Sequence, residues 1–145
     1  LKDAGVSLLL DVRQLPQSRR AGFSKRVLSE ALIKAGIGYR HIKQLGDPKP
    51  GREAARRGDM VSFRSIFCAH LELEASEAAL TDAAAEAERE TVALMCFERA
   101  PKECHRSIVA DRLRGLVSAE IVHLGVQPGR AAGRAEDGSG TTRIA

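Results

Sequence analysis

Residues 6–12 (VSLLLDV) form an almost unbroken apolar run with no alternation, closed by a carboxylate. A strand with one wet face alternates in polarity, so a continuous run of this length fits a strand buried on both faces, as in a parallel sheet between two layers of helices. Residues 91–97 (TVALMCF) repeat the pattern, and residues 37–42 (IGYRHI) and 120–126 (EIVHLGV) are shorter versions of it. Between these runs the spacing predicts helices. Ser24 stands as a cap for a helix through Ala35, with Val27, Leu28, Ala31, Leu32 and Ala35 on one side and Gly36 as its stop. A second helix is predicted over residues 60–71, anchored by Val61, Ile66, Phe67 and Leu71, and an acidic, alanine-rich third from Ser76 to about Glu90. A fourth is expected to open at Pro101 and run to about Leu116. LGDPKPGR, residues 45–52, holds two prolines and two glycines and is expected to be irregular. Strands alternating with helices define an α/β fold, a mainly parallel sheet with helices on both faces.

At 145 residues the chain suits one domain. Residues 1–126 are expected to form it and residues 127–145, which lack a hydrophobic pattern, to be a disordered tail. LKDAGVSLLL opens as if inside an element, so a preceding piece is expected to be missing. No apolar run reaches the roughly 18 residues of a membrane span, and there is no basic-then-apolar leader. Three widely spaced cysteines do not make a disulfide framework and are expected to be reduced thiols, which points to a cytoplasmic protein. Charge is uneven: over residues 13–57 twelve Lys/Arg stand against Glu30, Asp47 and Glu53, while residues 72–90 carry seven acids against Arg89. One surface therefore attracts anions. Aromatics are few, which disfavours a stacking platform for single-stranded nucleic acid.

Ligands of such sheets bind beyond the carboxyl ends of the strands. The first strand leaves there as Asp11-Val12-Arg13, and the run CFERAPKECHR, residues 96–106, joins the third strand to its helix. A helix start offers unpaired N–H groups and the positive end of a dipole, which favour a bound anion or the Cys104 thiolate. Arg106 adds a planar cationic fork, with Arg13 as a second. Asp11 or His105 could move protons, and Cys96 or Cys104 could act as nucleophile or redox thiol. Each has a plainer reading: Cys104 as buried filler, His105 as a hydrogen-bonded core residue, Asp11 as the orienting partner of Arg13, and Arg106 as an ion-pair partner of Glu98 or Asp11. A Cys-x5-Arg phosphatase loop is disfavoured because Lys102 stands six residues after Cys96. Cys96 and Cys104 have no companion CxxC or HxxxH element, a weak match to zinc spacing, although His41 and His123 could approach in three dimensions; no metal ligand is assigned. Cys68 is expected to be packing.

DVRQLPQSRRAGF, GIGYRHIKQLGD and LMCFERAPKECHR, in that order and followed by a strand containing His123, resemble the domain-of-unknown-function 488 family of small bacterial α/β proteins. The resemblance spans nearly all of residues 1–126. It implies an α/β sandwich with the DVR loop and the CHR helix start at one end, and it carries no established activity or cofactor. Its signature positions are Asp11, Arg13, Pro16, Ser18, Phe23, Tyr39, Leu45, Gly46, Cys96, Glu98, Cys104, His105 and Arg106, which adds Ser18, Tyr39 and Glu98 to the ligand-binding candidates. Members usually begin with a further strand bearing a Gly-His-Ser turn, which this chain lacks, and usually show Leu-Gly-Gly where Leu45-Gly46-Asp47 stands.

The combined expectation is a pocket for an anionic small molecule, nucleotide or nucleic acid, with Asp11, Arg13, Cys96, Glu98, Cys104, His105 and Arg106 converging on it. An enzyme with a Cys/His/Arg site is one form of that expectation. A non-catalytic nucleic-acid-binding module and a thiol-ligated metal protein are the alternatives.

Overall fold

The structure is a computed structural model that describes residues 1–98, 104–124 and 143–144. A parallel sheet runs through it in the order β2-β1-β3-β5-β4, formed by β1 (Leu8–Asp11), β2 (Gly38–His41), β3 (Val92–Met95), β4 (Glu120–Ile121) and β5 (Arg143–Ile144). Its frame is three strands: Leu9 registers with Tyr39 on one side and Ala93 on the other, and Asp11 with His41 and Met95.

Because successive side chains point to opposite faces, β1 divides its residues between two cores. Leu10 and Leu94 pack with Phe67, Leu71, Leu80, Val109 and Leu113, contributed by α3 (Met60–Leu71), α4 (Glu74–Arg89) and α5 (His105–Leu116). Leu9 and Ala93 pack on the other face with Val6, Ile37 and Leu32, the last from α1 (Lys25–Lys34). Helices thus cover both faces, as the unbroken apolar strands require. Tyr39 and Met95 border the second core, on the same face as Asp11.

The structure corrects several expected details. Residues 45–52 are not all irregular: α2 (Lys49–Arg56) begins inside them, with Pro50 in its first turn. Proline there removes an N–H that has no intrahelical acceptor anyway, so it starts a helix rather than breaking one. In α3, Val61 is not an anchor but 83% exposed, and the buried stripe is Phe63, Phe67 and Leu71 at spacings of four. The residue before this helix, Asp59, caps it by accepting from the Ser62 N–H at 3.0 Å. Ser76 lies inside α4 and bonds the Gln44 carbonyl at 3.0 Å instead of capping. Pro101 lies outside the described residues, and α5 is described from His105, with Cys104 at its N-cap.

β4 covers two residues of the expected fourth strand. The expected tail meets the described residues at Arg143 and Ile144, which join the sheet between β3 and β4, Ile144 being buried. Among the described residues no helix is long and apolar enough to cross a membrane.

Candidate functional site

β1 ends in a sealed ion pair. Arg13 folds back so that its Nε donates to Asp11 Oδ1 at 2.7 Å and its Nη2 to Oδ2 at 2.5 Å, while Tyr39 Oη donates to Oδ2 at 2.6 Å. Nη1 of Arg13 donates to the Phe23 carbonyl at 2.8 Å, and the guanidinium lies 5.2 Å from the centre of the Phe97 ring. Burial pushes the Asp11 carboxyl up, but the bonds from Arg13 and Tyr39 outweigh it and hold the group below the usual carboxylate range. For Tyr39, burial and the bond to Asp11 act together and push the phenol up, so it stays protonated and donating.

Two imidazoles fix the backbone just beyond β1. His105 Nε2 lies 2.8 Å from the Val12 carbonyl oxygen and His41 Nε2 lies 2.8 Å from that of Arg13. A carbonyl only accepts, so each ring carries its proton on Nε2. Burial lowers the His105 pKa below that of free histidine, which leaves a neutral ring with a lone pair on Nδ1. The ring sits edge-on to Phe67, 5.3 Å between centres.

Beyond this strand end opens a cleft of about 840 Å³. Arg52 and Arg56 of α2 and Arg19 of the loop after β1 bring cations to it, and Gln14 and Gln17 bring amides. Phe63, Phe97, Leu15 and Met60 supply apolar wall, and Asp47, Glu98 and His105 complete the polar groups. Arg52 is held in place by the Gln14 side-chain oxygen and by the Asp47 carbonyl, the latter at 2.5 Å.

The loop before α2 is built by close approach. A Cβ on Gly46 would fall 2.3 Å from the Gln14 nitrogen, so only glycine lets this loop lie against the one leaving β1. A Cβ on Gly51 would fall 2.1 Å from Asp47 Oδ1, so the Asp47 carboxyl fills the space that any other residue's side chain would take. That carboxyl is 6% exposed, and Oδ1 has no hydrogen-bond partner. Burial raises its pKa to about 7, against the pull of Arg52 and with the help of Glu98. A carboxyl that changes charge near neutral pH therefore lines the cleft.

The expected site residues separate into groups. Glu98 and His105 line the cleft. Cys96 and Cys104, expected as reduced thiols, are instead joined by a disulfide beside Glu98, because the end of β3 and the start of α5 bring the two sulfurs together, and Cys68 is the free cysteine among the described residues. Asp11, Arg13 and Tyr39 are joined to one another behind the cleft rather than open to it. Arg106 lies along a separate small depression with Leu94, Ser107 and His123; burial pushes its guanidinium down and Glu98 pushes it up. Ser18 is used within its own loop, accepting from the Arg20 N–H at 3.0 Å and, through its carbonyl, from Ser24 Oγ at 3.2 Å. Cys104 is 2% exposed whereas Cys68 is half-buried, so access to thiol reagents runs opposite to a reactive Cys104. Arg52 and Arg56 are cleft residues that the sequence reading did not single out, while Asp47, marked there only as a departure from Leu-Gly-Gly, also lines the cleft. Arg52 and Arg56 are spaced four apart and would fall on one helix face once residues 49–56 are read as a helix.

Fold and site define a small parallel α/β domain whose strand ends carry a cationic cleft and, beside it, a cluster of cysteine and charged side chains. The chain belongs to the family described as domain of unknown function DUF488, whose model matches residues 1–113. No curated protein and no solved structure matches it.

Proposed function

We propose that the cleft binds a small organic anion, with phosphate as the best-fitting charged group. The observation that carries this reading is the convergence of Arg19, Arg52 and Arg56 on one concavity that also has an apolar wall. Guanidinium forks suit phosphate and carboxylate oxygens, and Phe63 and Phe97 suit a ring or chain attached to them. Its volume lies within the usual range for small-molecule sites, roughly 300–1,000 Å³. A nucleotide meets these requirements. In the catalytic form of this reading, Asp47 and His105 transfer protons at the ligand, and Asp11, Arg13 and Tyr39 act by holding the strand end that carries the cleft wall. A cytoplasmic location, where thiols stay reduced, belongs to the same proposal.

Isothermal titration with inorganic phosphate, nucleoside mono- and diphosphates and a short oligonucleotide, each at two salt concentrations, tests it. A pocket ligand should bind with a shallow salt dependence and lose about tenfold or more in affinity in Arg56→Ala, an exposed position whose loss leaves the core intact. Unchanged affinity in that variant would overturn the cleft reading. Binding confined to the oligonucleotide, with a steep fall on adding salt, would instead identify the non-catalytic nucleic-acid module.

A further inference from the structure

Cys96, Glu98 and Cys104 each present one ligand atom, a sulfur, a carboxylate oxygen and a sulfur, and all three atoms lie within 4.8 Å of one another. Cys96 follows β3 directly, Glu98 stands two residues on, and Cys104 is the N-cap of α5. The end of β3 and the start of α5 bring them together. We propose that these three residues bind a zinc ion, with one coordination position left toward the arginine-lined cleft.

The structure joins the two sulfurs in a disulfide, so the ion belongs to the reduced chain, in which that bond is opened to two thiols; several features favour an ion there. The Cα atoms of Cys96 and Cys104 are 7.4 Å apart, beyond the ~4.4–6.8 Å that disulfides usually span. A shared metal lets the sulfurs stand farther apart, which suits that wider backbone. Cys104 Sγ already accepts from the Arg106 N–H at 3.3 Å, at the positive end of a twelve-residue helix. That setting favours the thiolate a metal needs. Cys96 and Cys104 are 9% and 2% exposed, so the sulfur side of the site is dry. Glu98 is exposed and lines the cleft, so the side opposite the sulfurs faces the space where an anion would enter.

Ligand chemistry selects the ion. Two thiolates exclude magnesium and calcium, which take oxygen ligands, and a mixed sulfur and carboxylate set fits zinc. Three protein ligands with a fourth position for water or substrate is the pattern of zinc sites that do chemistry rather than brace a fold. The inference is independent of the cleft reading in its first half, the ion, and depends on it in its second, the open position.

The test uses the full chain, reduced and stripped with a chelator, and titrated with cobalt(II) as a spectroscopic substitute. One equivalent should bind, with an intense near-ultraviolet thiolate-to-cobalt band that added zinc abolishes. Cys96→Ser and Cys104→Ser should each remove or sharply weaken that band, while Cys68→Ser leaves it intact. Glu98→Gln changes an exposed side chain, so it keeps the proposal testable if the cysteine variants fail to fold; zinc affinity should drop by about tenfold or more. Absence of the band in the parent protein, its survival in both cysteine variants, or unchanged affinity in Glu98→Gln would each overturn the site. Inorganic phosphate added to the cobalt form should shift its visible bands, and no shift would overturn the open position. The cleft reading is decided separately by Arg56→Ala.

Discussion

Asp11 and Arg13, two residues apart at the end of β1, grip each other through two hydrogen bonds between their side chains, both sealed from water at 0% and 1% exposed. Neither can be removed without stranding the other. Asp11→Asn or Arg13→Lys is therefore expected to destabilise the fold by about 3–5 kcal/mol, read as a lower urea midpoint and melting temperature. Because the Asp11 pKa is held below its unfolded value, this contribution is present above about pH 4 and is lost as pH falls through the folded value. The parent protein should lose stability in that acid window, and Asp11→Asn should lose less there.

Asp47 has the opposite sign. Its pKa is raised to about 7, so the folded protein holds a proton that the unfolded chain has released above about pH 4. This group makes stability fall as pH rises from about 4 to about 7, by at most about 1.4 kcal/mol per pH unit. Arg52 and Glu98 are the charged groups that shift it. Asp47→Asn should flatten that part of the stability curve and raise the urea midpoint at pH 8. An unaltered slope would show that the carboxyl is ionised throughout.

Two glycines should respond in opposite directions. Gly46→Ala drives a Cβ into the Gln14 backbone and should destabilise markedly, because neither loop can yield without moving the cleft wall. Gly115→Ala, within α5 and with nothing within 4 Å of the added carbon, should stabilise by roughly 0.5–1 kcal/mol. Paired thermal melts check both.

Thiol access gives a fourth prediction. In the native, reduced protein a bulky maleimide should modify Cys68 first, since Cys96 and Cys104 are buried and Cys68 is half-buried. All three should react once the chain is unfolded. Peptide mapping by mass spectrometry identifies the order, and early loss of Cys104 would show that the N-terminal end of α5 opens on the labelling timescale.

Residues 6–12 and 91–97 announce β1 and β3 because a strand buried on both faces leaves an uninterrupted apolar run. Gly36 likewise ends α1 where a stop is expected. Residue character misleads where packing decides. Pro50 and Gly51 look like breakers, yet Pro50 opens α2, and Gly51 is glycine because Asp47 occupies its side-chain space. Val61 has the character of an anchor, but the orientation of α3 is set by Phe63, Phe67 and Leu71. At the site, residue type alone leaves Asp11 open between proton carrier and orienting partner of Arg13. Its neighbours Tyr39 and Phe23, 28 and 10 residues away from the groups they meet, are what complete the burial. Arg52 and Arg56 escape notice because their helix does.

The histidines that hold the Val12 and Arg13 carbonyls have a kinetic consequence. One comes from the start of α5 and the other from the end of β2, so the chain leading to Gln14 is tethered from both flanks before any ligand arrives. A wall assembled in advance needs little ordering when a molecule docks, so more of the contact energy remains as affinity. Association should then proceed in one bimolecular phase, its rate proportional to ligand concentration without a plateau from a slow opening step.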